Sequence, residues 1–106
     1  MKCWTSATQS EQFLFTVISK VFQNHSYLMT VFFDPDRPKV RQAPQELLAN
    51  CRGYSSGEFV LIRIALDIWC GSGEAKLNQI LATLDLDNLS NVLEALKILA
   101  FKTSDN

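Results

Sequence analysis

The sequence predicts a mainly α-helical fold: a single compact domain, 1–106, of about five helices, with a short strand or β-hairpin near 26–42 and a C-terminal trihelical, helix-turn-helix-like core. Three observations predict it. Residues 55–70 read Ser-Ser-Gly-Glu-Phe-Val-Leu-Ile-Arg-Ile-Ala-Leu-Asp-Ile-Trp-Cys, an apolar run interrupted only by Glu58, Arg63 and Asp67. Apolar residues recur at helical spacing over 13–22 and again over 77–100. The chain has 106 residues, 47% apolar and 20% charged, which is enough to close one core without disulfides or metals.

Taken in order, Thr8 and Glu11 have the spacing of a capping box, in which each side chain bonds the other residue's amide. Phe13, Leu14, Val17, Ile18, Val21 and Phe22 follow on one helical face, so a helix is expected over 9–23, with Asn24 as its C-terminal cap. Residues 26–33 are aromatic and β-branched and read as a strand. Tyr27, Met29, Val31 and Phe33 would face one way, and Leu28, Thr30 and Phe32 the other. Asp34-Pro35-Asp36 would turn it back onto part of 37–42 as a hairpin. Pro44 at a first helical position opens a short helix to Cys51, stopped by Gly53.

Ser55 and Glu58 form a second capping box, and Gly71-Ser72-Gly73 ends the apolar run. A helix apolar nearly all round is buried or spans a membrane. This one carries charges and is shorter than the ~20 residues of a span, so burial is expected, with Arg63 and Asp67 pairing four residues apart. Leu77, Ile80, Leu81 and Leu84 mark a helix at 75–84. Asp85 or Asp87 would cap a last helix at 88–101, whose apolar face is Leu89, Val92, Leu93, Leu96, Leu99 and Ala100.

The stretch 74–96 resembles the helix-turn-helix core of winged-helix proteins. In that resemblance Leu77, Ile80 and Leu81 match the first helix, Leu86 the turn hydrophobe, and Val92, Leu93 and Leu96 the buried face of the second helix. It implies DNA binding or, since the same trihelical pattern serves for dimerisation in winged-helix-like domains, a homodimer. The polar positions argue against the first. Asp87, Asn88, Ser90, Asn91, Glu94, Lys97 and Lys102 are the expected exposed set, and the helix start is acidic where a recognition helix needs cations and base-edge donors.

Charge and cysteines bound the rest. Net charge is −1. Residues 1–53 carry six Lys/Arg against four Asp/Glu, and 54–106 four against seven, so neither half is a nucleic-acid footprint. Cys3, Cys51 and Cys70 are odd in number and without motif spacing, which argues against a disulfide framework and for a reducing, cytoplasmic compartment. The glycosylation sequons at Asn24 and Asn88 would then go unused.

No catalytic, cofactor-binding or metal-ligating set emerges. His25 is the single histidine, and a pair with Cys51 or Cys70 would lack a third, orienting group. The cysteines have no zinc spacing, Cys70-Gly-Ser-Gly lacks the lysine of a phosphate loop, and Asp85-Leu-Asp-Asn misses the EF-hand pattern. The expected function is therefore a non-enzymatic protein-interaction module: an adaptor, regulator or inhibitor of another protein. Its expected contact residues are the aromatic and basic middle segment, namely Tyr27, Met29, Phe32, Arg37, Lys39 and Arg41. The alternative is a nucleic-acid-binding regulator with a degenerate helix-turn-helix, using Arg37, Lys39, Arg41, Lys76 and Lys97.

Overall fold

A computed structural model describes residues 7–104. Cys3 and Trp4 lie outside the described residues. Six helices follow one another: α1 (Gln9–Val21), α2 (Leu28–Phe32), α3 (Pro44–Asn50), α4 (Ser56–Cys70), α5 (Leu77–Thr83) and α6 (Leu86–Ser104), with a 3-10 turn at Gln23–His25 between the first two. The central helix is α4. It packs against α1, α3 and α5, while α1 lies along α6. Both predicted capping boxes are present, Thr8 with Glu11 and Ser55 with Glu58.

The burial of α4 follows its composition: Val60, Leu61, Ile62, Ile64, Ala65 and Leu66 are inside. Gly71 ends it at φ 75°, a left-handed turn that glycine adopts without strain. No helix among the described residues is long and apolar enough to cross a membrane.

The segment expected as a strand is helical. Leu28–Phe32 forms α2, and pairing survives only as a single antiparallel bridge between Phe33 and Val40. An isolated strand would leave its amides and carbonyls unpaired. One helical turn satisfies them locally and sets Leu28 and Phe32, four apart, on the core side, so burial overrides strand propensity. The expected alternation of faces is therefore absent, and Leu28, Phe32 and Phe33 are all fully buried. Phe33 joins Phe15, Phe32 and Trp69 in one aromatic cluster, with ring centroids 4.9, 4.8 and 5.5 Å away.

Residues 34–41 form a closed loop rather than a strand. Asp34 Oδ1 accepts from the amides of Asp36 and Arg37, the Asp34 amide donates to the Lys39 carbonyl, and the Arg41 amide to the Phe32 carbonyl.

The expected ion pair within α4 is replaced by something more structural. Arg63 Nη1 donates to the Gly73 carbonyl at 2.9 Å. The Asp67 carboxylate accepts from the amides of Gly73, Glu74 and Ala75 at 2.8, 3.1 and 2.8 Å. Together they tie the 71–76 loop back onto α4. The loop comes so close that a Cβ on Gly73 would stand 1.8 Å from the Arg63 carbonyl oxygen. Glu74 takes φ 53°, the one non-glycine residue in the left-handed region among those described.

Candidate interaction surface

Of the six residues expected to contact a partner, five reach the surface and one does not. Tyr27, Arg37, Lys39 and Arg41 are exposed and Met29 is half-buried. Phe32 is fully enclosed, edge-to-face with Phe22 at 5.8 Å and Phe33 at 4.8 Å, and offers nothing to a partner. Arg41 is partly engaged, its Nε donating to the Thr30 carbonyl at 3.1 Å. With 34–41 looped rather than extended, strand alternation does not set the three cations on one side.

The most unusual surface lies on α5 and α6. Leu77, Leu81, Leu86, Leu93 and Leu96 are 71%, 60%, 82%, 52% and 44% exposed. The winged-helix resemblance placed Leu93 and Leu96 in the buried face of the second helix, and that placement is overturned. The reason is the side that α6 gives to α1. Val92 and Ala95 are buried, and so are Asn88 and Asn91, two of the residues expected outside. Lys102 Nζ lies 5.4 Å from the Phe13 ring on the same contact. A helix rotated to bury that arc turns the leucines on its other side outward.

Those outward residues keep a register. Leu86, Leu89, Leu93, Leu96 and Ala100 follow one another at alternating steps of three and four. They fall within about 80° of the helix circumference and run for about 21 Å along it. Leu86, Leu93, Leu96 and Ala100 are exposed and Leu89 is half-buried. Beside this ridge is an apolar cleft of about 270 Å³ between α4, α5 and α6, lined by Ile64, Ile68, Ile80, Val92, Leu96 and Leu99 with Ala75 and Asp67. On α5, Leu77 and Leu81 lie on the same side as the cleft-lining Ile80. The signal was present in the sequence: α6 is apolar over an arc too wide for one neighbour.

A second groove of about 430 Å³, of mixed polar and apolar lining, runs between α4, α5 and the 52–54 turn, bounded by Arg52, Tyr54, Phe59, Arg63, Gln79 and Thr83 among others. Arg63 is already held there by the Gly73 carbonyl and the Phe59 ring, 4.9 Å away.

The chemistry-bearing residues are scattered. His25 Nε2 is 3.4 Å from Asn88 Nδ2, and its ring stands edge-on to Tyr27 at 6.1 Å. Cys51 is buried, which raises its thiol above the usual value by desolvation, and Cys70 is exposed. Among the described residues no three His, Cys, Asp or Glu side chains gather to hold a metal ion. Comparison of the chain with protein-family models, with curated proteins and with solved structures returned no match.

Proposed function

We propose that this chain is a small non-enzymatic protein-interaction module, an adaptor, regulator or inhibitor that works by docking onto another polypeptide through α5 and α6. The observation that carries the reading is the row of exposed leucines beside an apolar cleft. The five leucines expose on the order of 600 Å², at the upper end of the largest apolar patch a monomer shows to water. Leaving them solvated forgoes hydrophobic stabilisation that a partner's surface would recover. The exposed cations Arg37, Lys39 and Arg41 lie on a different segment and then serve to guide encounter rather than as the contact core.

A photo-crosslinking residue placed at position 93 in the cell of origin tests this. A discrete product above the monomer from position 93, and none from position 37, is the expected result. Equal labelling from both positions, or none from either, removes the proposal. The nucleic-acid alternative has the acidic Asp85 and Asp87 at the start of α6 against it. Micromolar binding of random duplex DNA with a steep salt dependence would reinstate it.

A further inference from the structure

We infer that the occupant of the α5–α6 face is a second copy of this chain, docked about a twofold axis with the two α6 helices antiparallel. The inference rests on the interaction-module reading and names its partner. The three-four register of Leu86, Leu89, Leu93, Leu96 and Ala100 is the spacing with which a helix meets another helix of the same spacing. Among the described helices α6 alone carries such a stripe in the open, so it is both seat and occupant. The face is also self-complementary. Its ridge, Leu93 and Leu96, stands next to its cleft, floored by Ile64, Ile68 and Val92, which is what an isologous contact requires of one surface.

Area and charge agree. The roughly 600 Å² of exposed leucine is about three quarters of the ~800 Å² that each partner gives to a standard interface. A net charge of −1 puts little repulsion between copies. Beside the stripe, Asp85 comes at the start of α6, whereas Lys97, 3.7 Å from Glu94, comes late. Antiparallel packing sets Asp85 of each helix toward the late turns of the other, where Lys97 flanks the stripe, and opposes the two helix dipoles. Parallel packing would set acid against acid.

The test is sedimentation equilibrium of the intact chain under reducing conditions, because Cys70 is exposed. A reversible dimer with a micromolar dissociation constant is expected. Leu93→Lys should weaken it about 100-fold or more, since the symmetry places the substitution in the contact twice. Ile98→Lys, on an exposed position facing away from the stripe, should leave it unchanged. Far-ultraviolet circular dichroism checks that each variant is folded. Leu86→Lys, at the most exposed of the five leucines, repeats the test if Leu93→Lys is not. A monomer at about 100 μM, or a dimer indifferent to both leucine variants, overturns the inference. A monomer whose position-93 crosslinker captures a different protein sinks the second copy and leaves the interaction module standing. A monomer with no crosslink removes both.

Discussion

Asp67 is the residue whose removal should tell most about how this fold is held. Its two carboxylate oxygens accept three amides of the 71–76 loop at 2.8–3.1 Å. Hydrogen bonds to charged groups contribute about 1.5–3 kcal/mol each when buried; here the carboxylate is half-exposed, so about 1 kcal/mol per bond is the reasonable figure. Asp67→Ala should therefore destabilise by about 3 kcal/mol, a large share of the 5–15 kcal/mol typical of a domain. With a urea slope near 1.5 kcal/mol/M, the unfolding midpoint should fall by about 2 M. Asp67→Asn keeps one acceptor oxygen and should fall about half as far. Arg63→Ala, which removes one bond to the Gly73 carbonyl and one ring contact, should move it by about 1 kcal/mol. Amide exchange supplies the local readout: in Asp67→Ala, Gly73, Glu74 and Ala75 should lose protection ahead of the rest of the chain. Were Asp67 instead paired with Arg63, the two alanine variants would cost the same and neither would deprotect the loop. That pattern, or a midpoint shift below about 0.3 M, refutes the reasoning.

Three further outcomes follow from the same packing. Gly73→Ala should destabilise by more than about 3 kcal/mol, because its Cβ would meet the Arg63 carbonyl at 1.8 Å, whereas Gly53→Ala, with nothing within 4 Å, should stay within about 0.5 kcal/mol; urea titrations of both check the contrast. Thr8→Ala and Ser55→Ala should each lose about 1 kcal/mol through the loss of a helix cap, with Ser55→Asp near neutral, read from thermal unfolding. A thiol reagent should label Cys70 in the native protein and Cys51 only on unfolding, as peptide mapping would report. Burial holds the Cys51 thiol above its ordinary value of 9.0, so the unfolded chain loses that proton first. The native state then binds more protons above that pH, and stability should fall as pH rises through it, a fall that Cys51→Val abolishes.

Much of the fold was legible one helix at a time. The capping boxes at Thr8 and Ser55, the apolar run of α4, Pro44 at the start of α3 and Gly71 at the end of α4 are local signals, written within a few residues of the structure they specify. The α2 segment was misread because one local preference, the aromatic and β-branched content of 26–33, points to a strand that has no partner in this chain. The fate of Asp67 was hidden for a related reason. Its acceptors are satisfied six to eight residues on, by a loop whose path depends on a close approach at Gly73. The candidate surface was legible as apolar residues and illegible as a surface. The leucines of α5 and α6 look alike in sequence whether they face α1 or water.

What the amino-acid sequence determined alone is therefore five of the six helices, α2 excepted, where most of them begin and end, and the burial of α4, because hydrogen bonding, capping and apolar periodicity act over one or two turns. What only the tertiary structure decided is rotation and approach: which arc of α6 meets α1, which carboxylate straps the 71–76 loop, and hence which leucines are left outside. Those choices are made by the packing of side chains distant in sequence, and a small turn of one helix about its axis exchanges a buried leucine for an exposed one without altering a letter of the chain.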